Sequence, residues 1–259
     1  MSRSTWVLLR GLTREQGHWG DFPALLQAAL PEGSEVLTPD LPGNGTLFAE
    51  RSPASVGELV EAIRAQLRVS GAKPPYHVLA MSLGAMVTVE WAHRHPQELL
   101  DAVLINTSLK PHSPFWRRLQ ARQYPRILRL LIGQAGAQDW EEAIMQMTTR
   151  HPAHPQAALQ SWLSLRQAHP VAMANGLRQL WAAARYRAPE AVPPVPVLLL
   201  NGAGDQLVHP SCSAVLAKRW GASLITHPTA GHDLPLDAGP WVVQQVRGWL
   251  HHPPSNPRV

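Results

Sequence analysis

Three residues far apart in this chain are of the types that acyl transfer uses together: a serine, a carboxylate and a histidine. Ser82 sits in Val78-Leu79-Ala80-Met81-Ser82-Leu83-Gly84-Ala85-Met86, where an apolar run passes directly into a helical pattern. Small residues stand two before it (Ala80) and two after it (Gly84). So sharp a turn holds a serine in strained backbone geometry, and larger flanking side chains would collide with the neighbouring strand and helix. The usual pattern is Gly-x-Ser-x-Gly, and alanine at its first small position keeps the steric sense. The positive end of the following helix favours a developing oxyanion. A serine at a helix start is also a common N-cap, so the motif alone leaves both readings open.

A serine nucleophile needs a base, and the base needs an orienting carboxylate. Asp205 follows the apolar run Val195–Leu200 within the turn Asn201-Gly202-Ala203-Gly204-Asp205. His232 follows Ser223-Leu224-Ile225-Thr226, in the loop Pro228-Thr229-Ala230-Gly231-His232-Asp233. Parallel strands end on one edge of a sheet, so loops carrying Ser82, Asp205 and His232 converge there. The order Ser, Asp, His is the one expected of such a sheet.

The elements that must position them read as strands at Trp6–Leu9, Glu35–Thr38, Tyr76–Met81 and Ala102–Ile105, with helices between. Ser55–Val69 carries Val56, Leu59, Val60, Ile63 and Leu67 on one helical face. Continuous apolar strands alternating with helices predict a parallel sheet covered on both faces. The alternation lapses between about Pro114 and Pro189, where only helical pieces appear: Trp116–Leu131, Trp140–Thr149, Pro155–Gln167 and Ala172–Arg185. A last helix is predicted over Trp241–Leu250. The expected division is a core of residues 1–112 and 191–259, with residues 113–190 a helical cap inserted before the penultimate strand.

From Trp6 to Leu250 the chain resembles the α/β-hydrolase superfamily, and within it is similar to small capped carboxylesterases such as the pimeloyl-carrier-protein methyl ester esterase group. Four landmarks in order carry the resemblance: Arg10-Gly11-Leu12, Asp40-x-x-Gly43-x-Gly45, the turn at Ser82, and the pair Asp205/His232. It implies a mostly parallel sheet of about six strands beginning at the family's third, since five residues precede Trp6. It also implies an oxyanion hole of two backbone N–H groups, from Leu83 after the nucleophile and from Leu12. Arg10 stands where the family commonly has histidine, which leaves the donor in place and changes how its loop is braced.

Other candidates are weaker. The chain has 13 histidines, so a histidine in a loop is cheap evidence. His209 is expected to cap the next helix, and His227 to be structural. The strand before the insertion ends Leu104-Ile105-Asn106-Thr107, with no carboxylate to compete with Asp205. Asp233 adjoins His232 and is poorly placed to reach its ring, and Asp40 is expected to brace its own loop.

With 45% hydrophobic and 16% charged residues, the 259-residue chain has ample material for a core. Its net charge is +5, but the arginines form no run that tracks a phosphate backbone, so no nucleic-acid partner is expected. A single cysteine, Cys212, allows no intrachain disulfide and suits a reducing compartment. No 18-residue apolar run or signal segment appears, so a cytoplasmic location with no membrane partner is expected. Residues 113–190 hold ten arginines, no lysine and four acids, so the whole positive excess lies there, with four of the ten tryptophans. That composition fits a solvated helix surface; it also fits a basic lid attracting an anionic substrate or an acidic carrier protein, with aromatics lining an acyl pocket.

The expectation is a serine hydrolase cleaving a small-molecule acyl ester through Ser82, His232 and Asp205, with no metal or organic cofactor. Thioester, lactone, amide or C–C hydrolysis, acyl transfer and perhydrolysis remain open on the same residues, since fold and triad do not choose the leaving group. A ligand-binding receptor on the same scaffold is the reading from another class.

Overall fold

The computed structural model describes residues 4–132 and 135–251. Six strands form one sheet: β1 (Thr5–Leu9), β2 (Glu35–Leu37), β3 (Tyr76–Met81), β4 (Leu99–Ile105), β5 (Val197–Gly202) and β6 (Ser223–His227). Their order is β2-β1-β3-β4-β5-β6, and every pair is parallel. The chain direction across the sheet reverses between β1 and β3, and such a switch point opens a crevice beyond the strand C-termini.

Strand side chains alternate between two cores, as a period of two requires. Val7, Leu9, Val78, Ala80, Leu104 and Leu199 face one side, packing with α2 (Val56–Val69), α3 (Leu83–Arg94) and α9 (Ser211–Trp220). Trp6, Leu8, Leu79, Met81, Val103, Ile105, Leu198 and Leu200 face the other, under α1 (Phe22–Ala29) and α10 (Leu234–His251). Because both faces are covered, the strands read as continuous apolar runs. Among the described residues no helix is long and apolar enough to cross a membrane.

Between β4 and β5 lie α4 (Phe115–Arg118), α5 (Tyr124–Ile132), α6 (Ala137–Thr148), α7 (Pro155–Ala168) and α8 (Met173–Arg185). The single helix expected over Trp116–Leu131 is broken. Leu119 and Gln120 are extended, and a 3-10 turn covers Ala121–Gln123. The break lets Gln120 donate its backbone N–H to the Leu207 carbonyl and its side-chain amide to that of Asp205, while Gln123 reaches Gln206. Tertiary bonds to the loop after β5 outweigh helix continuity. The last helix begins seven residues earlier than expected, because the Asp233 carbonyl closes a first turn with the N–H groups of Leu236 and Asp237. It kinks at Ala238, ahead of Pro240, which has no N–H to continue the ladder.

Candidate active site

Ser82 occupies the junction of β3 and α3 with φ 54° and ψ −116°, a left-handed backbone unusual for a residue with a side chain. Its side chain makes no capping hydrogen bond, which separates it from an ordinary N-cap serine. The neighbouring strands fix the turn: Ser82 N–H donates to the Ile105 carbonyl, and Thr107 Oγ1 donates to the Ser82 carbonyl. Gly84 must be glycine for space, since a Cβ there would lie 2.5 Å from the Leu9 carbonyl oxygen and 2.7 Å from that of Arg10. Ala80 is fully buried in β3, where the small side chain fits.

The register Leu9↔Ala80 carries the chain after β1 alongside Ser82. A Cβ on Gly11 would come within 3.1 Å of Ser82 Cβ, so the Arg10-Gly11-Leu12 turn borders the serine. Leu83 is the first residue of α3, where helical N–H groups lack partners within the helix. Neither Leu12 N–H nor Leu83 N–H donates a hydrogen bond among the described residues.

Asp205 and His232 are each 3% exposed, and Asp205 Oδ2 stands 2.7 Å from His232 Nδ1. The other carboxylate oxygen accepts the N–H groups of Leu207 and Val208 at 2.8 and 2.9 Å, which locks the acid's orientation. With Nδ1 turned to the carboxylate, Nε2 is the nitrogen left for a substrate or nucleophile proton. Among the described residues no hydrogen bond joins Ser82 Oγ to His232; in ligand-free sites such contacts are often long and tighten with substrate.

The loops carrying acid and base touch through backbone. Gly204 N–H donates to the Ala230 carbonyl at 3.0 Å, and a Cβ at Gly202 would collide with that same carbonyl. Asn106, at the end of β4, has φ 47° and is buried; its amide donates to the carbonyls of Gly231 and His232 at 3.0 and 2.8 Å. Its oxygen accepts Gly202 N–H at 3.0 Å. Nothing in the local sequence marks Asn106, because its partners lie about 100 or more positions along the chain. Asp237 holds the other flank, accepting the N–H groups of Gly231, Arg150 and His151. Burial pushes the Asp237 carboxyl above its usual range, against those three donors.

Asp233 does not reach the His232 ring. Its carboxylate takes the Arg10 guanidinium at 2.7 and 3.1 Å, both side chains being buried. Asp40 accepts the N–H groups of Gln16 and Thr46, bracing the glycine loop. His209 Nδ1 faces Ser211 at the start of α9, and His227 Nδ1 accepts N–H bonds from Thr229 and Ala230.

The helical insertion also reaches the turn after β1. Gln179 on α8, fully buried, accepts Thr13 N–H at 2.8 Å and donates to Asn44 Oδ1 at 2.8 Å. Arg14 and Arg166 both pair with buried Glu141, at 2.6 Å each. Of the four tryptophans there, Trp162 is buried beneath the Arg14 guanidinium, whereas Trp116 and Trp181 are more than half exposed. Arg122, Arg126 and Arg129 line an open groove of about 370 Å³ with Gln123, Pro125 and Gln206, and no carboxylate is in its lining. Among the described residues no group of three or more histidines, cysteines or acids is placed to hold a metal ion.

Comparison with known proteins agrees with this architecture. A pimeloyl-[acyl-carrier protein] methyl ester esterase of Aromatoleum aromaticum is 29% identical over 265 residues, covering 96% of this chain and all of that protein. RutD of Klebsiella pneumoniae, a carbamate hydrolase by name, is 29% identical over 240 residues, 87% of this chain and 83% of RutD. Among solved structures, a thermophilic esterase from Thermogutta terrifontis superposes with a TM-score of 0.75 at 19% identity, covering 96% of this chain and 90% of the esterase. That last likeness is one of fold. The model of the alpha/beta hydrolase family matches residues 6–245. The chain belongs to the alpha/beta hydrolase family.

Proposed function

We propose that this hydrolase cleaves carboxylic esters, with Ser82 as nucleophile, His232 as general base and acid, and Asp205 as the orienting carboxylate. The observation that carries the reading is the 2.7 Å bond between buried Asp205 and His232, on loops that leave the same edge of the parallel sheet as a serine held in a strained strand-to-helix turn. Ser82 Oγ adds to the acyl carbon while His232 Nε2 takes its proton, and the carbonyl oxygen becomes an oxyanion facing the Leu12 and Leu83 N–H groups. Collapse expels the alcohol, protonated by His232, and leaves an acyl ester on Ser82. His232 then deprotonates a water that attacks this ester, and Ser82 recovers its proton as the acid departs. The insertion, residues 113–190, acts in this reading as a cap on the site.

Two relatives differ in the substrate class of their names: one is named for a methyl ester, the other for a carbamate. The ester reading is preferred for the relative that matches 96% of this chain over its own full length. The arginine groove between α5 and the Asp205 loop favours substrates carrying a negative group, including an acyl chain on an acidic carrier. Raising salt to physiological strength should then lower kcat/KM for an anionic ester and leave a neutral ester unchanged; equal responses remove the steering.

The test is hydrolysis of p-nitrophenyl acetate and butyrate by wild type and Ser82→Ala. The variant should lose on the order of 10⁴–10⁶ in kcat with KM largely kept. Retained activity contradicts the assignment. Added alcohol or peroxide, with product analysis, separates hydrolysis from acyl transfer and perhydrolysis.

A further inference from the structure

Beside the proposed triad lies a buried ion pair that takes no part in it. Arg10 and Asp233, 223 positions apart, meet through two parallel hydrogen bonds, Nη2 to Oδ2 at 2.7 Å and Nη1 to Oδ1 at 3.1 Å. Arg10 is 5% exposed and Asp233 2%, and the guanidinium lies 4.8 Å over the Trp19 ring. Each belongs to a segment with work to do at the site. Arg10 precedes Gly11, which borders Ser82, and its carbonyl abuts Gly84 at the start of α3. Asp233 follows His232, and its N–H donates to the Thr148 carbonyl at 2.7 Å.

The topology explains why such a link is useful. Arg10 leaves β1 and the histidine loop leaves β6, and three strands, β3, β4 and β5, lie between them. At roughly 4.8 Å per strand, the loop after β6 must reach back about 14 Å to stand over β3. From the β4–β5 side it is held by Asn106 and Gly204. From the β1 side the Arg10 side chain holds it. We infer that Arg10 and Asp233 are a positioning pair: their bidentate contact sets the spacing between the turn that carries the Leu12 amide and the loop that carries the His232 imidazole, on either side of Ser82. Neither side chain touches the reacting atoms. A planar guanidinium gripping both carboxylate oxygens fixes rotation as well as distance, which a lysine ammonium does not. The inference rests on the proposed triad.

The experiment compares wild type with Arg10→Gln, Asp233→Asn, Arg10→Lys and the double variant Arg10→Gln/Asp233→Asn, using p-nitrophenyl butyrate and an alkylboronic acid as transition-state mimic. A displacement of under an ångström between catalytic groups is worth roughly 10–100-fold. Arg10→Gln and Asp233→Asn should therefore each lose that much in kcat, with KM within about threefold and boronate affinity falling in step with kcat. Arg10→Lys should stay within about threefold of Arg10→Gln, because charge without the planar fork is not enough. The double variant should be no slower than the worse single one, since both changes break one link. It leaves no buried unpaired charge, so it reports even where a single variant fails to fold. A folded double variant with wild-type kcat and wild-type boronate affinity overturns the positioning role. Ser82→Ala, assayed alongside, separates the two claims. If it is inactive while the pair variants are unimpaired, only the pair fails; if it stays active, the triad and the pair fail together.

Discussion

Asn106 and His232 are tied by a hydrogen bond of 2.8 Å from the asparagine amide to the histidine's own carbonyl, 126 positions along the chain. The same side chain takes the Gly202 N–H, so one buried residue at the end of β4 joins the loop of the proposed base to the strand leading to the proposed acid. Its backbone is left-handed there, with φ 47°.

Asn106→Ala removes three hydrogen bonds and leaves Gly202 N–H buried without a partner. The expected cost is about 1–3 kcal/mol in urea unfolding, with kcat reduced by roughly ten-fold or more. Asn106→Asp keeps the acceptor for Gly202 but sets a carboxylate against the carbonyls of Gly231 and His232, so it should be no better than alanine. Equilibrium unfolding and steady-state kinetics on the two variants check this.

Gly84→Ala should be far more damaging than Ala80→Gly. A methyl at position 84 meets the carbonyl oxygens of Leu9 and Arg10, which belong to a central strand and its exit and have little room to retreat. Strain of about 1–3 kcal/mol is expected, along with displacement of the Leu12 turn and loss of activity. Ala80→Gly should cost only about 0.5–1 kcal/mol and keep activity. Thermal unfolding of the pair distinguishes a steric requirement from a mere preference for small residues.

His18 gives the fold an acid-side weakness. Burial pushes its pKa well below the ordinary value, and the nearby Arg14 and Arg10 charges add to the shift. Nδ1 accepts the Glu15 N–H at 3.1 Å and Nε2 lies 2.8 Å from Arg14 Nη1, so protonating the ring removes its one acceptor and sets a second N–H against a donor. The folded state binds fewer protons than the unfolded state below the ordinary histidine pKa of about 6.5, so stability is lost as pH falls through that value. The slope from this one residue is at most about 1.4 kcal/mol per pH unit. His18→Gln should therefore narrow its stability gap to wild type as pH drops from 7.5 to 5, measured by urea unfolding. A gap independent of pH contradicts the buried neutral imidazole.

How much was legible in the sequence depends on range. The strands and their apolar runs are local, and the rule that parallel strands end on one edge was enough to bring Ser82, Asp205 and His232 to that edge. The break at Leu119–Gln120 was hidden because its cause is a set of bonds to residues 205–207, remote in sequence. The start of α10 was hidden for a local reason: Pro235 and Pro240 look like breakers, yet Pro235 falls in the first turn, where a missing N–H costs nothing. Asn106, Gln179 and the Arg10–Asp233 pair were invisible as support, since amides and arginines acquire such roles only through partners far along the chain. The departure from the family's histidine at position 10 was visible; that Asp233 answers it was not.

The most direct measurement of the central claim is labelling with a fluorophosphonate followed by peptide mapping. Wild-type protein should be modified at Ser82 alone and inactivated in proportion, with modification slowed by roughly 10³-fold or more in His232→Ala. Label on a different residue, or equally fast modification of Ser82 without the imidazole, contradicts the account.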